Sequence, residues 1–154
     1  MIAALALVAA LLVQMTLVNR LHLPAGGVPD LVLLTVIGLA STRGPVAGAV
    51  MGFCAGLLAD LMPPAAHLVG QYAFVYALIG FLAGRGVGGP VTTVVLCVVL
   101  APVLAAAVGG LIGDSRVTMA TLTEMVPVTM VYTLILAPVV VWTISWSGRG
   151  RLAT

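Results

Sequence analysis

The chain has 154 residues, of which 62% are hydrophobic and 6% charged, with a net charge of +2 and a mean hydropathy of +1.29. Soluble domains carry about 25% charged residues, so this composition excludes a water-soluble globular domain. The charge is made of arginines and acids with no lysine, placed singly near the ends of apolar runs, which excludes a nucleic-acid-binding face.

At about 20 apolar residues per crossing, the length allows one membrane domain of at most about six or seven spans. The first run, Ile2 to about Asn19, is closed by Arg20 and His22. It lacks the basic start of a signal peptide and is read as an uncleaved helix. After a loop holding Pro24, Gly26, Gly27 and Pro29, Asp30 stands where an N-cap belongs. The run it opens, to Thr42, is about a dozen residues, short for a full crossing unless neighbours bury it.

Arg43-Gly44-Pro45 breaks the chain, and Pro45 suits the first turn of a third helix that reaches about Met62. Pro63-Pro64 stops it. The fourth run spans 68–84 and ends at Arg85. The fifth spans 91–112 with Pro102 inside, and Gly113-Asp114-Ser115-Arg116 forms the next polar turn. The sixth spans about 122–146, carries Pro127 and Pro138, and has Thr121 and Glu124 at capping-box spacing before it.

The expected fold is therefore all-α, a single polytopic membrane domain of six transmembrane helices, about 2–19, 30–42, 45–62, 68–84, 91–112 and 122–146. Arginine placement favours both termini on the cytoplasmic side, with Arg43, Arg85, Arg149 and Arg151 inside and Arg20 and Arg116 outside. Trp142 and Trp146 then mark the inner interface.

Within the third run, Gly48, Gly52, Gly56 and Asp60 recur every four residues along one helical ridge. In lipid, small residues at this spacing let helix backbones approach and pack by dispersion. The ridge therefore faces protein, either within the fold or across a partner interface. Gly80 and Gly84 repeat the device in the fourth run, and Gly109 and Gly113 in the fifth. The segments Gly52-Phe-Cys-Ala-Gly56 and Gly80-Phe-Leu-Ala-Gly84 echo each other, for which shared packing is explanation enough.

Asp60 is an acid in an apolar run near a helix C-terminus, where the dipole disfavours an anion. It needs compensation: a proton, a partner such as His67 or Arg116, or the N-terminal amides of the fourth helix. A loop-organising hydrogen bond and a functional role both fit. Gln14 and Gln71 are placed to bond between helices, Tyr72 and Tyr76 to share a packed edge, and Cys54 and Cys97 to fill space. Asp30 and Glu124 read as helix-start residues. No nucleophile, base and acid converge, no phosphate loop or metal spacing occurs, and neither an enzyme nor a cofactor is expected.

Pro29-Asp30-Leu31, Arg43-Gly44-Pro45, Gly48 to Gly52-Phe53, Gly56-Leu57-Leu58 and Asp60-Leu61, followed by Gly70, Tyr76, Gly80 and Gly84-Arg85, together resemble the central region of the MreD family of rod shape-determining proteins. The resemblance covers Pro29 to Arg85, and the first and last spans match in hydropathy alone. The absence of lysine and the Ala/Gly/Val/Arg bias also point towards a high-GC, actinobacterial genome. The resemblance implies a six-helix bundle like the substrate-binding subunit of energy-coupling-factor transporters, in the bacterial plasma membrane. It implies a non-enzymatic component of the elongation machinery that binds MreC, works beside RodA, a class B penicillin-binding transpeptidase and MreB, and couples sidewall peptidoglycan synthesis to cell shape. The alternative is a vitamin-binding transporter subunit. For it Ala6 and Ala10 supply a coupling-face spacing, and Asp60, His67, Gln71, Tyr72 and Arg116 supply pocket candidates.

Overall fold

The computed structural model describes residues 2–20, 26–62, 69–113 and 121–149. Among them there is no strand; the chain forms six α-helices: α1 (Ile2–Thr16), α2 (Leu31–Arg43), α3 (Pro45–Leu61), α4 (Gln71–Arg85), α5 (Pro90–Ile112) and α6 (Val126–Arg149). A short 3-10 turn, Val18–Arg20, follows α1. Every expected helix is present, with ends shifted by up to four residues.

Local chemistry accounts for the ends. Asp30 has extended backbone angles, and its Oδ1 accepts from the Leu33 amide at 2.8 Å, an N-cap as expected. Gly44 takes a positive φ of 87° to close α2, and Pro45 opens α3 in the next peptide. Both α5 and α6 stay continuous through Pro102 and Pro138. Thr121–Met125 form a π turn running into α6, ahead of Pro127, which has no amide to give the preceding turn; the side chain of Thr121, on which the expected capping box depends, lies outside the described residues.

The short α2 is the centre of the bundle. It touches α1, α3, α4, α5 and α6, and every residue from Val32 to Ala40 is buried. A helix apolar all round belongs in a protein interior, and one enclosed by neighbours need not match a bilayer's thickness. That explains a run too short for an exposed crossing.

The most extensive helix pairing is α3 on α4. A Cβ placed on Gly48 would strike the carbonyl of Gly80, and one on Gly80 would strike that of Gly48. A Cβ on Gly52 would lie 2.6 Å from the Tyr76 carbonyl carbon, and one on Gly56 would lie 2.6 Å from Ala73 Cα. On Gly84 it would lie 2.6 Å from the Pro45 nitrogen. The ridge is thus used up inside the fold as a backbone-to-backbone seam between antiparallel helices. Gly113 does not extend the device to α5: it is the left-handed C-cap, with φ of 79° and open space where its Cβ would be.

The stretches Ala3–Arg20, Pro90–Ile112 and Thr123–Ile144 are long and apolar enough to cross a membrane. They line the outside, with 28%, 28% and 11% of their most apolar stretches buried. Val91, Val95, Val99 and Val103 form one exposed stripe on α5, and Val131, Ile135, Val139 and Trp142 another on α6. Such continuous exposed apolar surface is stable against lipid and would aggregate in water. These features are those of a membrane protein.

Candidate functional site

All the described acids lie towards one end of the bundle, where α1, α3 and α5 finish and α2, α4 and α6 begin. The opposite end carries Arg43, Arg85 and the last residue of α6, Arg149.

Asp60 closes the glycine ridge at the acid-bearing end, 2% exposed. Its Oδ2 accepts from the amides of Gly70 at 2.9 Å and Ala73 at 3.1 Å, and its Oδ1 from that of Tyr72 at 3.3 Å. Gly70, the N-cap position of α4, has no side chain and a φ of 103°. The cap comes from the neighbouring helix instead. The carboxylate sits on the positive end of the α4 dipole, which offsets its poor position at the end of α3. Of the compensations expected for this acid, the α4 amides are the one observed; His67 and Arg116 lie outside the described residues.

Asp30 does more than start a helix. While Oδ1 caps α2, Oδ2 accepts from the hydroxyl of Tyr76 on α4. Its backbone amide donates to Thr133 Oγ1 on α6 at 3.1 Å. Beside it, Gln14 of α1 accepts from the Leu31 amide at 2.8 Å and donates to the Pro29 carbonyl at 2.9 Å and to Asn19 Oδ1 at 3.0 Å. Four helices are tied together here through one turn of backbone. Tyr72 and Tyr76 meet edge to face, with ring centres 5.5 Å apart, as their shared face predicted.

These groups border a cavity of about 290 Å³ whose walls include Gln14, Asn19, Asp30, Tyr72, Tyr76 and Thr129 with Met15, Val32, Ala59 and Met62. A smaller space of about 80 Å³ continues from Asp30 and both tyrosines towards Pro102 and Ala105 on α5. Gln71 bridges to α5 as expected, donating to the Ala105 carbonyl at 2.8 Å, while its own buried Oε1 has no partner among the described residues.

The sequence candidates therefore divide. Gly48, Gly52, Gly56, Gly80 and Gly84 form the seam, and Asp60 fastens its end. Asp30, Tyr76, Gln14 and Thr133 form the polar site, and of these only Gln14 carried a legible signal, a polar side chain inside an apolar run. A Pro-Asp pair before a helix reads as a cap whether or not the second carboxylate oxygen has work elsewhere. Cys97 is buried, with its Sγ 3.9 Å from the Ile79 carbonyl, whereas Cys54 is exposed. No cluster of three metal-ligating side chains occurs among the described residues. A carboxylate hydrogen-bonded to a phenol, walled by apolar and aromatic groups, is equipped for binding. Comparison with protein-family models, characterised proteins and solved structures finds no match for the chain.

Proposed function

We propose that the chain is a multi-pass, non-enzymatic component of a bacterial plasma membrane, of the MreD kind. In this reading it binds MreC and, with RodA, a class B penicillin-binding transpeptidase and MreB, links peptidoglycan synthesis to cell shape. The observation that carries the reading is the division of labour among the helices. The α2–α4 block is locked by backbone contacts, while α1, α5 and α6 turn long apolar faces outward. That is a rigid frame with helical surface to offer partners. Because α4 already fills the glycine ridge, the partner's membrane helix meets the outer helices and not the ridge. Co-expression with MreC should give a complex that survives purification in detergent, and should raise the chain's thermal midpoint, because a partner selective for the folded state stabilises it. A chain that purifies alone beside tagged, folded MreC overturns the proposal.

The arginine-bearing end lies in the cytoplasm in this reading, since positive residues are retained inside. With Cys54 and Cys97 replaced by alanine, a cysteine at Val87 should react with membrane-impermeant maleimide only after the cells are opened. A cysteine at Val69, 66% exposed at the other end, should react in intact cells. The reverse pattern inverts the topology.

One observation favours a second reading, a small-molecule-binding subunit resembling those of energy-coupling-factor transporters: the cavity at Asp30 combines apolar walls with a few converging polar groups. A vitamin retained through purification, without MreC, would promote it.

A further inference from the structure

Among the described residues the Asp30 carboxylate has no charged partner. Its oxygens accept from an uncharged amide, Leu33, and an uncharged hydroxyl, Tyr76. A carboxylate offers about four acceptor positions, and the uncharged donors facing this one, the Leu33 and Val32 amides and the Tyr76 hydroxyl, leave at least one of them open. Asp30 is only half-buried, and it lines both of the spaces of about 290 and 80 Å³. A carboxylate removed from water without a cation is costly. Asp60, by contrast, spends its oxygens on three amides at a helix dipole.

The cavity around Asp30 also has a definite chemistry. Tyr72 and Tyr76 line the cavity with Asp30, and aromatic side chains beside a carboxylate add to the attraction of a site for cations. Asn19 and Gln14 add amide oxygens, and Met15 and Met62 supply adaptable apolar wall. The volume exceeds what a water cluster needs and suits a compact organic group. The site lies where α1 and α3 end and α2 and α4 begin, at one end of the bundle.

We propose that this cavity is a binding site for an alkylammonium group, held by the Asp30 carboxylate and flanked by Tyr72 and Tyr76. The inference is independent of MreC binding. Two sources share the chemistry: a free small amine, and the ammonium headgroup of an aminophospholipid reaching in from the bilayer surface.

The test uses the full chain in nanodiscs of phosphatidylglycerol, which lacks an ammonium group. Addition of n-butylammonium should raise the thermal midpoint in a saturable way, by about 2–4 °C at concentrations well above the dissociation constant. Uncharged n-butanol at equal concentration should not. Asp30→Asn is the decisive variant, because asparagine caps a helix as well as aspartate does. It should fold yet lose the butylammonium response. If phosphatidylethanolamine nanodiscs raise the midpoint of the native chain but not of D30N, the lipid headgroup is the source; if only the free amine acts, a soluble amine is. No response to either cation, an equal response to butanol, or responses unchanged in D30N would overturn the proposal.

Discussion

Leucine at Gly52 or Gly56 should remove most of the folded protein from the membrane. Overpacking an ordinary core costs about 1–3 kcal/mol, because neighbouring side chains can turn aside. Here the obstacles are the backbone at Tyr76 opposite Gly52 and at Tyr72 and Ala73 opposite Gly56, and backbone has no rotamer to change. The helices would have to separate along the whole seam, forfeiting dispersion contacts that hold α3 on α4 where no hydrophobic drive between helices exists. The expected cost exceeds about 3 kcal/mol, against a total stability of about 5–15 kcal/mol. Val46→Leu, at a position 73% exposed on the same helix, should be nearly silent, and Ala47→Leu, one residue off the ridge, should cost less than either glycine variant. The measurement is the yield of monodisperse protein extracted from membranes. Equal yields for all four variants would mean that α3 and α4 do not meet along this seam.

Asp60→Asn should lower the thermal midpoint by about 6–12 °C, corresponding to about 3 kcal/mol. Hydrogen bonds to a charged acceptor contribute about 1.5–3 kcal/mol each, and Asp60 makes three to the start of α4. Asparagine keeps one oxygen and turns an NH₂ group towards donors, so at least one buried amide loses its partner. Asp60→Ala should cost more, since all three amides are orphaned next to a glycine N-cap that supplies nothing. Hydrogen exchange should show the loss first at Tyr72 and Ala73, before any change in α5. A midpoint unmoved by Asn would show that water satisfies these amides equally well.

How far the site was legible depends on the residue. The four-residue spacing of Gly48, Gly52 and Gly56 declared a close contact because only small residues permit one, and periodicity is written along a single helix. The identity of the opposing helix was not, because Gly80 and Gly84 match the ridge no better in sequence than an unknown partner's helix would. Asp60 was conspicuous as an acid in an apolar run, yet three compensations were open to it. Choosing among them required knowing that α4 begins beside the end of α3. The same limit hid the Asp30–Tyr76 bond, whose partners lie 46 residues apart.

The sequence by itself determined the apolar, helical character of the chain, the number of helices and most of their ends, because hydropathy, prolines, glycines and caps act over a few residues. It determined that Asp30 and Asp60 lie at one end of alternating helices, with Arg20, and Arg43 and Arg85 at the other. Only the tertiary structure decided that the short α2 is the enclosed centre, that the glycine ridge is closed by α4, and that Asp30, Gln14, Tyr76 and Thr133 meet around a cavity. Those outcomes depend on which helix faces which, and a helix presents the same apolar stripe to a neighbour, a partner or a lipid.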